Sequence, residues 1–440
     1  MAKISAPQNV REAIGNHMLA DGMDPIVDLE KSHGSWVVDA RDGKEYLDLF
    51  SMFASMSVGY NHPYVLDHKE YLATAALNKP TNSDIYSTQM ADFVTTMAHV
   101  AQPEYLPYAF YIEGGALAVE NALKTAFDWK SKLNRINGKS TLGSKVIHFE
   151  QCFHGRSGYT LSLTDSHDKR KTNYFPKFDW PRISNPHIDF PLSNESNATI
   201  EAKEVKALDE IKSVLKESAD EVACLIIEPI QGEGGDNHYR PDFFKSLKTL
   251  ANENDFLLIY DEVQTGIAIT GKMWCHQHFG DDAQPDIISF GKKTQVCGIF
   301  AGKRLDRIDD HVFKESSRLN STWGGNLTDM VRFKLYLDII ENENLVQNAH
   351  EMGNFLQAKL EVLENTHTDK ISGSRGIGLF RAFDCNSSED RDKLTGLIQT
   401  EGAIVLGSGE KTIRFRPHLN ISSEEIDQGI DMISRALGKL

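Results

Sequence analysis

Four short apolar runs in the middle of the chain predict β-strands. They lie at residues 144–150, 222–230, 255–263 and 286–292, with the sequences SKVIHFE, VACLIIEPI, DFLLIYDEV and DIISFGK. Each run is continuously apolar and does not alternate with polar residues, which is typical of strands covered on both faces. Helical patterns at residues 199–218 and 240–254 separate the first three runs. This order predicts an α/β fold with a mainly parallel sheet and helices on both sides.

The pattern changes near residue 327. A long helical stretch over residues 327–365 leads into a tail of mixed helical and strand character. We therefore expect a large domain at residues 66–326 and a smaller α+β domain at residues 327–440. The N-terminal segment, residues 1–65, is expected to contribute to the smaller domain.

Polar side chains follow three of the predicted strands at their carboxyl ends. These side chains are Glu228, Glu233, Asp261, Gln264 and Lys292. Ligands of open parallel sheets bind at this edge, so the sequence predicts a site there. Two adjacent lysines, Lys292 and Lys293, end the last of these strands. Burial lowers the pKa of a lysine, which a Schiff-base amine requires, and the pattern alone does not choose between the two.

The composition narrows the classes of function. The 440 residues carry a formal net charge of −16, which argues against a nucleic-acid-binding face. The five cysteines are widely spaced without a C-x-x-C pair, which argues against a disulfide framework or a zinc cluster and predicts reduced thiols. The sequence also lacks an apolar signal-peptide region and a run long enough to span a membrane. We therefore predict a cytoplasmic protein.

Two glycine-containing motifs are too weak to assign a phosphate site. GIAITGKM, residues 266–273, nearly matches the Walker A pattern, but Met273 stands where a magnesium-binding hydroxyl is needed. GSRGIG, residues 373–378, does not have the G-x-G-x-x-G order and predicts a turn. The 16 histidines show no metal-binding spacing, so no metal is predicted. A P-loop nucleotide hydrolase is an alternative that rests on GIAITGKM alone.

Three other motifs point to one chemistry. In YIEGGALAVENALKTA, residues 111–126, a glycine pair precedes a helix-forming run, and a helix N-terminus can bind a phosphate, although a plain loop-to-helix junction has the same pattern. CFHGRSGYT, residues 152–160, supplies an aromatic ring to stack on a flat heterocycle and an arginine to bind a carboxylate, unless both are structural. YDEVQTG, residues 260–266, ends a buried strand with two carboxylates, and one of them could pair with a pyridinium nitrogen.

Together these motifs resemble those of the class III (ω-amino) pyridoxal-phosphate aminotransferases. The matching pieces are DEVQTG, SFGKK, FHGR and EPIQGEGG, and their order and spacing agree from about residue 45 to the end. The resemblance implies the PLP-dependent transferase fold type I, with a mainly parallel sheet in a large domain and a smaller α+β domain. It also implies pyridoxal 5′-phosphate (PLP) as the cofactor. FGKKTQVCG, RLNSTWGGN and KFDWPRI are more similar to the lysine 6-aminotransferase branch, with the 4-aminobutyrate aminotransferases as near relatives.

The resemblance implies roles for residues around the cofactor ring. Lys292 is the lysine that binds the cofactor covalently and acts as the general base, and Lys293 is then structural or solvated. Asp261 pairs with the pyridinium nitrogen and keeps the ring an electron sink. Phe153 stacks on the ring, and Gln264 lies near the ring hydroxyl.

The same resemblance implies how the phosphate is held. Backbone N–H groups of Gly115 and Ala116 form the cradle, and Ala116 stands where more distant relatives carry a hydroxyl residue. Thr322 reaches the phosphate from the neighbouring subunit, which implies a homodimer with shared active sites.

Substrate selection follows from two arginines in this family. Arg156 holds the carboxylate distant from the reacting nitrogen, and Arg414 takes the α-carboxylate of glutamate or 2-oxoglutarate. Glu233 is a catalytic switch that neutralises Arg414 in the lysine half-reaction and withdraws in the 2-oxoglutarate half-reaction, because an unpaired buried cation is costly. The remaining substrate-binding residues are Gln264, Asn320 and Thr322.

The predicted reaction is transfer of the terminal amino group of L-lysine to 2-oxoglutarate by a ping-pong mechanism. The products are 2-aminoadipate 6-semialdehyde, which cyclises to piperideine-6-carboxylate, and L-glutamate. The distance from the reacting carbon to the carboxylate differs between lysine and glutamate, so Arg156 must accommodate two lengths. A 4-aminobutyrate or ornithine aminotransferase is the alternative within the family. A PLP-binding protein without turnover is a third possibility, against which the set Lys292, Asp261, Glu233 and Arg414 argues.

Overall fold

The computed structural model describes residues 5–140, 142–192 and 194–440, so residues 1–4 of the predicted N-terminal segment lie outside the described residues. The strands are β1 (Trp36–Val38), β2 (Glu45–Asp48), β3 (Tyr108–Ile112), β4 (Lys145–Phe149), β5 (Arg182–Ile183), β6 (Val222–Ile227), β7 (Leu257–Asp261), β8 (Ile287–Phe290), β9 (Cys297–Ala301), β10 (Ile371–Ile377), β11 (Phe380–Cys385), β12 (Ala403–Ile404), β13 (Leu406–Ser408) and β14 (Thr412–Phe415). The helices are α1 (Val10–Gly15), α2 (Ser51–Ala54), α3 (Pro63–Asp67), α4 (Lys69–Leu77), α5 (Thr88–Val100), α6 (Gly115–Ile136), α7 (Gly158–Leu163), α8 (Asn194–Ser218), α9 (Pro241–Glu253), α10 (Leu327–Asn342), α11 (Leu345–Thr366), α12 (Ser388–Glu401) and α13 (Ser423–Leu437).

Seven strands form the central sheet in the order β3-β9-β8-β7-β6-β4-β5. Strands β4 to β8 pair in parallel, and β9 runs antiparallel to both of its neighbours. The four strands predicted from the apolar runs are confirmed as β4, β6, β7 and β8. Each strand ends before its apolar run does, because the last residues of each run leave the sheet and enter the loops at its edge.

Both faces of this sheet are buried, as the continuous apolar runs predict. Ile226, Ile259 and Ile287 belong to the cluster that contains the apolar face of α6. Their neighbours Leu225 and Leu258 belong to the larger cluster on the other face, which includes α9. Successive strand residues point to opposite faces, so each strand contributes to both clusters. Burying one such side chain contributes about 1.5–3 kcal/mol, so both faces of the sheet stabilise the fold.

Two smaller sheets complete the fold. One has the order β1-β2-β12, in which β12 pairs in parallel with β2, so the N-terminal and C-terminal parts of the chain share a sheet. The other is antiparallel, with the order β10-β11-β14-β13. The expected α/β fold with an additional α+β portion agrees with this arrangement. The proposed boundaries at residues 65 and 326 stay predictions.

Two sequence predictions in the C-terminal part are wrong. The helix expected over residues 327–365 is two helices, α10 and α11, separated at Asn344, which adopts a left-handed conformation with φ of 53°. Asparagine tolerates this conformation better than most residues. The turn expected at residues 373–378 lies mostly within β10, where the pairing with β11 is irregular between Ser372 and Arg375. Glycines at a bulge permit such an irregularity without ending the strand.

All five cysteines are buried and free. Among the described residues, no helix combines the length and the apolar character needed to cross a bilayer.

A pair of identical substitutions tests the packing of α11. A Cβ on Gly353 would lie 2.1 Å from the backbone carbon of Gly378, whereas a Cβ on Gly396, in the exposed part of α12, would meet nothing within 4 Å. We expect Gly353→Ala to lower the free energy of unfolding by about 1–3 kcal/mol because it overpacks a backbone contact. Gly396→Ala should raise it by up to about 1 kcal/mol because alanine favours a helix. Urea denaturation measures both, and a neutral or stabilising Gly353→Ala would contradict the close contact.

Candidate functional site

A cavity of about 520 Å³ lies where β6, β7 and β8 end. Nine of the eleven predicted site residues line it, namely Gly115, Ala116, Phe153, Arg156, Glu233, Asp261, Gln264, Lys292 and Arg414. The two others, Asn320 and Thr322, do not line it and are exposed on the loop that precedes α10. The structure therefore brings together residues from both the central sheet and the smaller antiparallel sheet.

Lys292 directly follows Gly291 at the end of β8. It begins a 3₁₀ turn and adopts a left-handed conformation with φ of 54°, which is strained for a non-glycine residue. Its amine has no hydrogen-bond or ion-pair partner within the described residues. Burial, and then the positive charge of Arg414, lower the pKa of the Lys292 amine, although Asp261 acts in the opposite direction. An amine with these properties is suited to nucleophilic and proton-transfer chemistry.

Lys293 has a different environment from its neighbour. Its side chain is buried, and Nζ donates to the backbone carbonyl of Gln264 at 2.7 Å. Burial, and then the positive charges of Arg416 and Lys292, lower the pKa of Lys293 well below its ordinary value. The contact with Gln264 makes Lys293 a structural tether.

The same segment holds a turn at the mouth of the cavity. All four residues of α2 have positive φ, so α2 is a left-handed turn, and its Phe53 lines the cavity. Lys293 Nζ approaches the carbonyl of Ala54 at 3.5 Å, and Gln295 Nε2 donates to the carbonyl of Ser55 at 2.5 Å. Left-handed turns of non-glycine residues are unfavourable, so these contacts from the Lys292 segment help to maintain this one.

The carboxylate of Asp261 is fixed on several sides. Oδ1 accepts hydrogen bonds from the hydroxyl of Ser289 and from the backbone N–H of Val263, both at 3.1 Å. Oδ2 lies 2.7 Å from Nδ1 of His154, and both side chains are buried. The strand pairing explains the first contact, because Asp261 of β7 is opposite Ser289 of β8. A buried carboxylate held in this way is a partner for a protonated ring nitrogen.

Glu228 connects two of the loops that form the cavity. Its carboxylate accepts the backbone N–H of Phe153 at 2.8 Å and that of Gly232 at 3.1 Å. Burial, and then the negative charge of Asp261, raise the pKa of Glu228 well above its ordinary value. Glu228 therefore fixes the loop of FHGR relative to the loop of QGEGG.

One end of the cavity is the N-terminus of α6. Gly114 precedes the helix with φ of 92°, a conformation that favours glycine, and its carbonyl accepts the first helical hydrogen bond from Ala118. The N–H groups of Gly115, Ala116 and Leu117 therefore have no partner within the helix, and such groups bind anions. Gly155 packs against this end, where a Cβ would lie 2.6 Å from that of Ala116.

The cavity is also lined by Arg414 on β14. Its Nη1 reaches Oε1 of Gln264 at 3.3 Å, and its Nε is buried without a partner. Glu233 does not pair with Arg414. Instead, Oε1 of Glu233 lies 2.5 Å from Nζ of Lys171 and accepts the hydroxyl of Ser166 at 2.8 Å.

The groups that line the cavity can be compared with the groups of PLP. The free N–H groups at the start of α6 match a phosphate, the fixed carboxylate of Asp261 matches a pyridinium nitrogen, and the unpartnered amine of Lys292 matches an aldehyde. Phe153 supplies an aromatic face in the same cavity. The residues present therefore fit PLP.

Sequence reasoning assigned no role to several residues of the cavity. They are Phe53, His154, Gly155, Lys171, Glu228 and Val263. His154 and Gly155 lie within FHGR, Val263 lies within DEVQTG, and Glu228 begins EPIQGEGG, so the motifs contained a signal for these four. The sequence contained no signal for Lys171, because this residue belongs to no motif. Only the folded chain brings it into contact with Glu233.

The comparisons with known proteins agree with the geometry. The model of the aminotransferase class-III family matches residues 18–437, and the chain therefore belongs to the class III aminotransferase family. A relative from Mycobacterium tuberculosis (strain ATCC 25618 / H37Rv), named L-lysine-epsilon aminotransferase, is 48% identical over 437 residues, which cover 98% of this chain and 96% of the relative. A relative of the same name from Amycolatopsis lactamdurans is 44% identical over 434 residues, with 98% and 96% covered.

A solved structure supports the fold assignment directly. It is described as lysine aminotransferase from M. tuberculosis in the internal aldimine form, and it has a TM-score of 0.96 and 47% identity to this chain. The match covers 99% of this chain and 100% of that one. The expectations of a class III aminotransferase with PLP-dependent transferase fold type I are therefore confirmed.

The P-loop alternative is wrong. GIAITGKM follows β7 through a turn in which Ile267 and Ala268 have positive φ. A phosphate-binding loop of the Walker type leads into an α-helix. Here a 3₁₀ turn, Cys275–His278, follows, and in the part of the chain described the next α-helix is α10.

A buried ion pair beside the cavity gives a stability prediction. Asp236 and Arg416 are both buried, with Oδ1 to Nη2 at 2.7 Å. We expect Asp236→Asn to lower the free energy of unfolding by about 3 kcal/mol, because it leaves a buried cation without its counter-charge. The control Asp24→Asn alters the exposed pair Asp24–Arg41 and should cost less than about 1 kcal/mol. Equal losses in urea denaturation would show that burial of the first pair is unimportant.

Proposed function

We propose that this chain is a PLP-dependent L-lysine 6-aminotransferase. It transfers the terminal amino group of L-lysine to 2-oxoglutarate and forms 2-aminoadipate 6-semialdehyde, which cyclises to piperideine-6-carboxylate, and L-glutamate. The observation that carries the proposal is the convergence of the Lys292 amine, the Asp261 carboxylate, a helix N-terminus and two arginines on one cavity. The choice of lysine is supported by the name of the relative that is 48% identical.

The residues of the cavity divide the binding of the cofactor. The N–H groups of Gly115 and Ala116 would hold the phosphate, and Phe153 would supply an aromatic face for the ring. Asp261 would accept a hydrogen bond from the ring nitrogen, and Gln264 would serve the ring hydroxyl. When bound, PLP supplies an electron sink for the negative charge that develops at the amino-bearing carbon of the substrate.

Lys292 would hold the cofactor covalently and would also move the proton. Its side chain lines the cavity, and Nζ would take the proton from the ε-carbon of lysine. Burial, and then the charge of Arg414, lower the pKa of this amine, which favours the neutral form that accepts a proton. The left-handed backbone of Lys292 begins the turn from which its side chain reaches the cavity.

Two arginines orient the two substrates. Arg156 is exposed and forms no ion pair within the described residues, so its guanidinium is available for the carboxylate distant from the reacting nitrogen. Arg414 takes the α-carboxylate of 2-oxoglutarate or glutamate. In the lysine half-reaction nothing anionic from the substrate reaches Arg414, and Glu233 then neutralises it.

We include a homodimer with shared active sites in the proposal. Asn320 and Thr322 lie outside the cavity of their own chain, on an exposed loop. Apolar side chains close to this loop are also exposed, with Ile85 at 70% and Tyr86 at 78%, and the backbone N–H of Asn82 donates to the carbonyl of Trp323. An exposed apolar surface of this kind favours a second copy, whose cavity Asn320 and Thr322 would complete. The cytoplasmic location stays a prediction.

The experiment that tests this function is identification of the product from lysine and 2-oxoglutarate. Loss of the terminal amino group gives a cyclic imine, which forms a coloured adduct with 2-aminobenzaldehyde. Formation of the adduct with equimolar glutamate supports the proposal. Faster turnover of 4-aminobutyrate or ornithine than of lysine would replace it by the alternative donor, and absence of a visible cofactor band would exclude every aminotransferase version.

The assignment of the two lysines gives a further prediction. We expect Lys292→Ala to retain the fold and to reduce turnover about 10³-fold or more, because it removes both the covalent attachment and the general base. Borohydride reduction of the wild-type protein, followed by peptide mapping, should place the cofactor on Lys292. Labelling of Lys293 would overturn the assignment, and Lys293→Ala should mainly lower stability, because it removes the buried tether to Gln264.

A further inference from the structure

The two charged residues that the proposed switch requires are held apart in this structure. Glu233 and Arg414 line the same cavity, but Oε1 of Glu233 binds Lys171 Nζ at 2.5 Å and the hydroxyl of Ser166 at 2.8 Å. Within the described residues Arg414 pairs with no carboxylate, and its Nη1 reaches only Gln264 at 3.3 Å. The structure thus contains a withdrawn position for Glu233, and a lysine is the cation that stabilises it.

The position of Lys171 is set by a short turn whose other charges are already paired. Lys171 is the last residue of the 3₁₀ turn Lys169–Lys171. Lys169 pairs with Asp165 at 2.9 Å, and Arg170 pairs with Asp168 at 2.8 Å. Of these three basic residues, only Lys171 is directed to Glu233, and its side chain is 31% exposed.

Lys171 and Arg414 therefore compete for one carboxylate. Oε2 of Glu233 is buried without a hydrogen-bond partner, so the carboxylate depends on its cationic partner for compensation. With Lys171 as partner, Arg414 is open to a substrate carboxylate. With Arg414 as partner, the arginine is neutralised and closed to it. The balance between the two positions is an equilibrium that a change in either cation shifts.

We propose that Lys171 is a specificity-determining positioning residue that holds Glu233 away from Arg414 and so favours binding of the acceptor dicarboxylate. This inference rests on the proposed function and extends it, because it names the partner of Glu233 in the acceptor half-reaction. Lys171 improves the KM for the acceptor and opposes binding of a donor that presents no anion to Arg414.

The test is Lys171→Met in the holoenzyme, with the two half-reactions followed separately by visible absorbance. Loss of the competing cation leaves Arg414 as the partner of Glu233, so we expect the KM for 2-oxoglutarate to rise about tenfold, within the range typical of coupling between two sites. The KM for lysine should stay the same or fall, and kcat of the donor half-reaction should not decrease. Lys171→Gln serves as a second neutral variant should the first fold poorly.

Three further variants separate the contact from the general loss of charge. Lys169→Met removes the same charge two residues away and should leave both KM values unchanged, since Lys169 pairs with Asp165. Lys171→Arg, which keeps the positive charge, should have a KM for 2-oxoglutarate close to that of the wild-type protein. In the background Glu233→Gln, adding Lys171→Met should have no further effect, because the carboxylate that Lys171 holds is absent.

A binding measurement does not depend on turnover. Glutarate is an unreactive five-carbon dicarboxylate, and its stabilisation of the holoenzyme against heat reports binding at the two arginines. Its affinity should fall in Lys171→Met by the same factor as the acceptor KM rises, and it should be unchanged in Lys169→Met.

Several outcomes would overturn the inference. Equal effects of Lys169→Met and Lys171→Met would show that only the net charge of the entrance matters. Equal changes for donor and acceptor, or a full effect of Lys171→Met in the Glu233→Gln background, would show a role that is not exerted through Glu233. If the wild-type protein prefers a donor other than lysine, the proposed function fails, whereas the glutarate measurement still decides the role of Lys171.

Discussion

The site depends on compensation of the Asp261 carboxylate at the buried end of β7. A carboxylate in such a place is tolerated only when its oxygens have partners, and here the neighbouring strand, the following loop and the FHGR loop each supply one. The central sheet supplies the first partner through the register of β7 and β8. The same register places Lys292 next to the carboxylate, because parallel strands end at a common edge. The register of β7 and β8 thus both stabilises the buried Asp261 carboxylate and positions the Lys292 amine.

The loops around this edge are connected by their own hydrogen bonds. Glu228 ties the FHGR loop to the QGEGG loop, and the backbone of Gly409, after β13, donates to the carbonyl of Glu233. The carboxylate of Glu233 is thereby carried on a backbone that is fixed on both sides, while its side chain has two cations within reach of the cavity. In the proposed switch, this fixed backbone would leave only the side chain of Glu233 to move between the two cations.

Much of this arrangement could be predicted from the sequence, because its signals are local. The apolar runs identified four strands of the sheet, and the residues that follow these strands gave Asp261 and Lys292. The break of the long C-terminal helix could not be predicted, since it depends on the left-handed conformation of Asn344 without a proline or glycine nearby. Lys171 and Glu233 are in contact although they lie 62 positions apart in the sequence. No local sequence pattern around either residue predicts the other as its partner. Local patterns identify elements and motif residues, whereas contacts between loops depend on the assembled fold.

The left-handed turn that carries Phe53 has a consequence for engineering. Lys293 and Gln295 form hydrogen bonds to the backbone of this turn. The rim of the cavity and the Lys292 amine are therefore structurally coupled. A change to this rim, for example to admit bulkier amines, is therefore expected to shift Lys292 as well.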